Sequence, residues 1–224
     1  FNRKYLHIVA SEDGTIDSVY YGNNTATSNV LPLAFGMVPE EYLQAVRDNI
    51  VNTIMITNTG HVSCGVVGMS WIQRELTRMG HGDIAFQLAS NTSWPSYGYM
   101  IEHGATTIWE LWNGDTANPA MNSGNHVMLL GDLITWFFKD LAGIQSVEPG
   151  FKHIRFAPDF SIDSLTILNA SYSSLYGDIS SSYTKQDNNV VWTVTVPCNT
   201  TATVVLPDGE KLISSGTYTY KFKL

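Results

Sequence analysis

Glu110 is the residue whose surroundings most clearly suit chemistry. It lies between Trp109 and Trp112 in a chain of which only 14% of the residues are charged. A carboxylate can act as acid, base or nucleophile at a glycosidic bond, and indole rings stack on the apolar C–H faces of a pyranose. This combination therefore suits a sugar site. The alternative is structural: the two indoles could face a core from one helix, with the carboxylate buried and satisfied by backbone N–H groups.

Two histidines are candidates for the same site. His126 stands at the start of a long apolar run, where its imidazole could donate to a sugar hydroxyl or orient the carboxylate. His61 lies in a segment flanked by glycines and is open to the same interpretation. For each of them, the alternative is a core histidine whose ring nitrogens are satisfied by neighbouring groups.

Other catalytic patterns are missing from the sequence. No Ser/His/Asp order, phosphate-binding glycine loop or HExxH zinc spacing occurs. Cys64 and Cys198 are far apart and belong to no CxxC pattern, so we expect two buried thiols and neither metal binding nor redox chemistry. The sequence therefore predicts a site without a metal or a cofactor.

The composition narrows the class of partner. Twelve basic residues against twenty acidic ones give a formal net charge of −8, with no basic cluster. Nucleic acid and anionic membranes are poor partners for such a chain, and no apolar stretch is long enough to span a membrane. The 44% hydrophobic content predicts an ordered globular chain.

The first part of the chain has helical periodicity. Apolar residues at three- and four-residue spacing, with Pro and acidic residues at helix starts and Gly after helix ends, mark helix boundaries. The candidate residues from Pro95 to His126 lie between two of these helices, in a loop rich in Gly and aromatic residues. Helices are predicted from Pro39 to about Met55, near Val67–Met79, from Asp83 to near Asn91, and over Asn125–Leu141.

After Pro149-Gly150 the periodicity changes to that of strands. Alternating β-branched and aromatic residues at 165–172, 190–196, 203–206 and 217–222 are separated by Asp-Asn-Asn and Pro-Asp-Gly turns. Short strands with regular turns favour an antiparallel β-sandwich. The predicted fold is mainly α with an all-β C-terminal domain, with domains at 1–145 and 146–224.

Longer sequence words resemble a known family. The segment that ends in Gly-Ala-Thr-Thr-Ile-Trp-Glu at Glu110, and Met-Asn-Ser followed by Asn-His at His126, closely resemble the bacterial α-L-rhamnosidases of glycoside hydrolase family 78. The words occur in the family's order, and the resemblance covers nearly the whole chain. They are residues 21–26, 33–39, 60–61, 97–110, 121–126, 141–144 and 149–151.

The resemblance implies both an architecture and an activity. It implies part of an (α/α)6 six-hairpin toroid followed by a β-sandwich, and inverting removal of terminal α-L-rhamnose from a glycan or glycoside. Glu110 is then the general base and His126 lines the rhamnose pocket, with Trp109, Trp112 and His61 as further substrate-binding candidates. An inverting mechanism places the acid roughly 6.5–9.5 Å from the base, with the attacking water between them.

The family's general acid lies in an acid-rich motif N-terminal to everything present here. We therefore expect this chain to be the C-terminal part of a longer enzyme, with the acid supplied by the preceding part, and to be inactive alone. The family also implies a periplasmic or extracellular location, although intracellular members exist. The oligomeric state is left open, and a homo-oligomer is one alternative. Two alternatives remain: a non-catalytic carbohydrate-binding or assembly module, and a related toroidal glycosidase acting on another sugar.

Overall fold

The computed structural model describes residues 1–224 and divides them into two compact units. The helical unit comprises Phe1–Leu133 and the β unit comprises Ile134–Leu224. This division falls inside the last helix, whereas the predicted domains meet at 145/146; that boundary stays a prediction. No helix is both long and apolar enough to cross a membrane.

The helical unit begins with a short helix and a hairpin that the periodicity did not predict. The short helix α1 (Asn2–Tyr5) precedes β1 (Leu6–Ala10), which pairs antiparallel with β2 (Ile16–Tyr21). Helix α2 (Ala26–Ala34) follows, and it begins with a capping box in which Thr25 and Ser28 each bond the other's backbone N–H. The buried Asn29 accepts from the Tyr21 backbone N–H at 2.7 Å, which ties the helix to the hairpin.

The predicted helices are present with small shifts in their ends. The first becomes a 3₁₀ turn (Glu40–Tyr42), α3 (Leu43–Asn52) and a π turn (Thr53–Thr57). The others are α4 (Val66–Arg78), α5 (Gly82–Ser90) and α7 (Val127–Trp136), which continues as a π turn (Phe137–Leu141). Between α5 and α7 lies α6 (Tyr97–Glu102).

The chain from residue 103 to residue 126, here called the site segment, has almost no regular structure. Its only helical part is a 3₁₀ turn at Pro119–Met121. The interpretation of Trp109 and Trp112 as core residues of one helix is therefore wrong. The site segment is a long loop between α6 and α7. The prediction of a loop from Pro95 to His126 is therefore confirmed over residues 103–126 and wrong over α6.

Two four-stranded sheets build the β unit around one apolar core. The first sheet has the order β10-β7-β6-β5 and the second the order β3-β4-β8-β9. Strand β4 pairs with β8 in parallel, so the prediction of purely antiparallel pairing is wrong there. The strands are β3 (Ile144–Ser146), β4 (His153–Phe156), β5 (Ile167–Ser174), β6 (Gly177–Gln186), β7 (Asn189–Val196), β8 (Thr201–Leu206), β9 (Gly209–Ile213) and β10 (Gly216–Lys223), with a 3₁₀ turn at Pro149–Phe151.

Both sheets contribute to that core. Phe156 from the second sheet and Trp192 from the first are fully buried in one cluster, with ring centroids 6.5 Å apart. Cys198, which we expected to be buried, is exposed after β7, whereas Cys64 is buried in the helical unit.

Candidate active site

Three loops of the helical unit surround the site cavity, which has a volume of about 600 Å³. The first precedes α4, the second precedes α6, and the third is the site segment. Glu110 is the one carboxylate among the residues that line it. The lining is Asn58, Thr59, His61, Val62, Ser63, Cys64, Gly65, Trp94, Pro95, Glu110, Leu111 and Trp112.

Glu110 is held by pairing between the two ends of the site segment. Its backbone N–H donates to the Ser123 carbonyl at 2.9 Å, and its Oε2 accepts from the Ser123 N–H at 3.0 Å. On one side, the Leu111 N–H donates to Asn122 Oδ1 at 3.0 Å. On the other, the Thr107 hydroxyl donates to the Gly124 carbonyl. The carboxylate is thus exposed yet fixed in orientation, as a group that acts on a bound substrate must be.

Trp112 forms part of the wall of the site cavity. Its indole N–H donates to the Cys64 carbonyl at 3.1 Å, and its ring meets the buried Tyr97 edge-on at 5.2 Å. These contacts leave the half-buried indole face in a fixed position. Such a face is what an apolar side of a sugar ring can stack on.

Trp109 has a different environment. It is half-buried and is not among the residues that line the site cavity. Its ring packs so closely on Gly114 that a Cβ there would lie 2.7 Å from it. The Trp109 ring thus packs against the turn after Glu110, and its role in substrate binding stays a prediction.

His61 lies in the site cavity and ties two of its loops together. Its Nε2 is 2.8 Å from the Ser93 hydroxyl, and its Nδ1 is 3.0 Å from the Thr59 carbonyl. Since both ring nitrogens are engaged by protein groups, the ring offers the cavity mainly its face. Thr59 and Gly60 have φ values of 50° and 78°, which form the turn that presents the imidazole.

His126 lines a second, smaller cavity of about 220 Å³. Its backbone N–H donates to the Ile108 carbonyl at 2.7 Å, and its buried Nδ1 has no hydrogen-bond partner. Ile101, Val127 and Leu130 contribute exposed apolar surface to the same cavity. The structure thus brings Glu110, Trp112 and His61 together, and places His126 in a neighbouring depression.

Burial raises the pKa of two groups at the site cavity, one in its lining and one behind it. Burial, and secondarily Asp132 and Cys64, raises the pKa of the Tyr97 hydroxyl, and burial raises the pKa of the Cys64 thiol. Both groups are therefore neutral at physiological pH, and Cys64 is a poor nucleophile. The lining contains one carboxyl group, that of Glu110.

The structure adds Trp94, Asn122 and Ser123 to the site. Asn122 and Ser123 belong to the Met-Asn-Ser word, but only the folded loop shows that they hold Glu110. Trp94 precedes Pro95 outside any periodic element, so its indole gave no signal in the sequence. Among the described residues, no three His, Cys, Asp or Glu side chains are grouped as a metal site requires.

Comparison with known proteins defines the class of this chain. A model described as the bacterial alpha-L-rhamnosidase 6 hairpin glycosidase domain matches residues 1–141, and one described as the bacterial alpha-L-rhamnosidase C-terminal domain matches residues 143–221. The chain thus combines a helical glycosidase domain with a β domain. It belongs to the bacterial alpha-L-rhamnosidase family.

Individual relatives agree with this assignment. An alpha-L-rhamnosidase of Streptomyces avermitilis is 32% identical over 82% of this chain, which spans 18% of that relative. One from Formosa agariphila is 33% identical over 94% of this chain, which spans 22% of it. The chain therefore covers about a fifth of the length of these curated relatives.

Solved structures show the same fold. The alpha-L-rhamnosidase of Dictyoglumus thermophilum superposes with a TM-score of 0.86 at 28% identity, over 100% of this chain and 27% of that one. The Streptomyces avermitilis enzyme complexed with L-rhamnose gives a TM-score of 0.83 at 28% identity, over 99% of this chain and 23% of that one.

Proposed function

We propose that the protein containing this chain is an inverting α-L-rhamnosidase and that Glu110 is its general base. The observation that carries the proposal is the position of Glu110. It is the one carboxylate in the lining of the site cavity, beside Trp112, and Ser123 fixes its orientation. A fixed carboxylate is one of the two carboxyl groups that glycoside hydrolysis needs, and the indole beside it can stack on a sugar ring.

In this proposal, Glu110 accepts a proton from a water molecule as that water attacks the anomeric carbon. The bond from this carbon to the leaving oxygen breaks at the same time, and a second carboxyl group protonates the leaving oxygen. Attack from the face opposite the leaving group inverts the anomeric configuration. Glu110 returns to its charged form by releasing the proton to solvent.

The second carboxyl group lies outside the lining of the site cavity. We infer that it comes from another part of the full-length protein, because this chain spans about a fifth of its curated relatives. We also infer that the helices of this chain, together with helices from the rest of the full-length protein, form an (α/α)6 toroid. The two sheets are inferred to form a β-sandwich. The domain boundary at 145/146 belongs to this proposal.

Rhamnose is the proposed sugar because the matching relatives are named alpha-L-rhamnosidases and one of them is solved with L-rhamnose bound. Trp112 supplies the stacking surface for the sugar. His61 and His126 are proposed as further contacts, His61 through its ring face in the site cavity and His126 from the smaller cavity that it lines.

The test is Glu110→Gln in the full-length protein, assayed on an aryl α-L-rhamnoside. We expect kcat/KM to fall by about 10²–10⁴-fold, because the amide cannot accept the proton. Added azide should restore turnover in the variant, since an anionic nucleophile needs no base. Glu102→Gln is the matched control, because Glu102 is exposed in α6 and outside the site cavity.

Unchanged turnover in Glu110→Gln would overturn the assignment of the base. A wild-type protein that binds rhamnosides without hydrolysing them would favour the non-catalytic module, and strong turnover of another glycoside alone would change the sugar. For the isolated chain of 224 residues we expect no hydrolysis.

A further inference from the structure

Trp94 is an aromatic side chain of the site cavity to which the proposed reaction gives no role. Its side chain is 56% exposed, although it lines the same cavity as Glu110 and Trp112. A large indole left in water inside a concave site is unusual, since burial of such a ring is favourable. Within this chain, the face of the indole is therefore open to a ligand that occupies the cavity.

The backbone on both sides of Trp94 is fixed. Before it, Asn91 Oδ1 accepts from the Ser93 N–H at 3.0 Å, and the Ser93 hydroxyl is 2.8 Å from His61 Nε2. After it, the buried Ser96 accepts from the Tyr99 N–H at 2.9 Å and caps α6. The indole is thus exposed on a constrained loop, and little conformational freedom is lost when a ligand covers it.

The two indoles of the site cavity differ in what they offer. Trp112 is half-buried, with its N–H bonded to the Cys64 carbonyl and its ring against Tyr97. It is a wall of the cavity. Trp94 is mostly uncovered, which places it at the rim. If the sugar stacks on Trp112, as the proposed function has it, the group attached to that sugar can extend towards Trp94.

We propose that Trp94 is a specificity-determining residue that stacks on the leaving group and favours an aromatic aglycone over an aliphatic one. The proposal rests on the proposed function, since it assumes that a rhamnoside occupies the site cavity. The other non-polar residues of the lining, Val62, Pro95 and Leu111, offer no side-chain hydrogen bonds, and the polar Asn58 amide is used within the protein, donating to the Ser63 hydroxyl at 2.8 Å. This suits a flat apolar group better than a second sugar.

The experiment measures binding, so that the reactivity of the leaving group does not enter. In the full-length protein carrying Glu110→Gln, calorimetry gives the Kd of phenyl α-L-rhamnoside and of methyl α-L-rhamnoside. Adding Trp94→Ala should raise the Kd of the phenyl ligand by about 3- to 10-fold. The Kd of the methyl ligand should change by less than about 2-fold, and Trp94→Phe should keep most of the preference.

Phe35→Ala is the matched control, because Phe35 is 60% exposed and lies outside the site cavity. It should leave both constants unchanged. Equal weakening of both ligands in Trp94→Ala would show that the indole contacts the sugar, and no weakening would show that it contacts neither; both results overturn the proposal. If Trp94→Ala weakens the binding of a rhamnosyl disaccharide more than that of the phenyl ligand, the group that stacks on Trp94 is a second sugar and not an aromatic aglycone.

The failure of the proposed function looks different. In that case the wild-type protein hydrolyses no rhamnoside, and the Glu110→Gln protein binds neither ligand before Trp94 is changed. The inference about Trp94 is then overturned together with the proposed function. Binding of both ligands with the wrong response to Trp94→Ala overturns only the inference.

Discussion

The β unit and the site segment satisfy their backbone polar groups in different ways. In the β unit, ladders such as β6 with β7 pair N–H and C=O groups of successive residues, whatever the side chains are. In the site segment, Asn122 Oδ1 and Glu110 Oε2 accept from backbone N–H groups. The ladder therefore tolerates substitution at its surface, whereas the geometry of the site depends on particular side chains.

The largest expected effect comes from emptying the core between the ladders. Trp192 is fully buried, and its indole N–H donates to the buried Ser181 hydroxyl at 3.0 Å. Trp192→Ala should lower the free energy of unfolding of the β unit by about 3–5 kcal/mol. Amide hydrogen exchange of β6 and β7 measures the change.

The control for this variant is the neighbouring position. Val191 lies in the same ladder but is 40% exposed. Val191→Ala should cost less than about 1 kcal/mol. A loss of protection as large as that in Trp192→Ala would contradict the tolerance ascribed to the ladder.

The next effect tests how closely α6 is packed on the loop before it. A Cβ on Gly98 would lie 2.4 Å from the Asn91 carbonyl oxygen. Gly98→Ala should therefore cost about 1–3 kcal/mol, since backbone must move. Gly131 in α7 has no atom within 4 Å of its added Cβ, and Gly131→Ala should be neutral or stabilising by up to about 1 kcal/mol. Equal melting temperatures for the two variants would contradict the close packing.

A smaller effect is expected from two variants that compare side-chain pairing in the site segment with backbone pairing in the β unit. Asn122→Ala removes the acceptor of the Leu111 N–H, so the amide of Leu111 should exchange faster, by about 1 kcal/mol of local stability. Thr193→Ala removes a side-chain bond of 2.9 Å to Thr219 but leaves the ladder intact. The amide of Thr193 should keep its protection. If the amides of Leu111 and Thr193 change their exchange rates equally, the contrast between the ladder and the loop is wrong.

The smallest effect at neutral pH concerns two buried tyrosines, one in each unit. Burial first, and neighbouring charges second, raises the pKa of Tyr97 and of Tyr183 above that of the unfolded chain. Their stabilising contribution is complete below pH of about 10, the pKa of unfolded tyrosine, and is lost as the pH rises beyond it.

Tyr97→Phe should reduce the alkaline loss of stability in the helical unit alone. At neutral pH it removes only a long bond of 3.4 Å to the Leu129 carbonyl, which costs less than about 1 kcal/mol. Denaturant midpoints at neutral pH and above pH 10 measure both effects. Tyr176→Phe, at a tyrosine with 38% exposure, should change neither.

Periodicity predicted most of the long helices and strands, and it missed several elements that are short, exposed or polar on their inward face. Strand β6 was missed because polar residues occupy inward positions: Ser181 bonds Trp192, and the buried Lys185 donates to the Ile162 carbonyl at 2.6 Å. Strand β1 was missed because four of its five residues are exposed, so its apolar side chains do not alternate with burial. Strands β3 and β4 are too short to show a period.

The candidate site was predicted in part. Family words and aromatic content pointed to Glu110, Trp112 and His61, which line one cavity. They gave no signal for Trp94, and they could not show that Trp109 turns towards Gly114. In an irregular loop the direction of a side chain is set by tertiary bonds, such as the one from Leu111 to Asn122, and sequence spacing does not encode it.

The pairing that holds Glu110 also closes off residues 113–121, an excursion within the site segment whose two ends are joined by the bond between Leu111 and Asn122. An insertion in this excursion would lengthen a closed loop without moving the carboxylate. Doubling the length of such a loop costs only about 0.6 kcal/mol in closure entropy. The excursion is therefore a place where evolution or an engineer can graft new surface beside the cavity, and so change what the protein accepts while its chemistry stays the same.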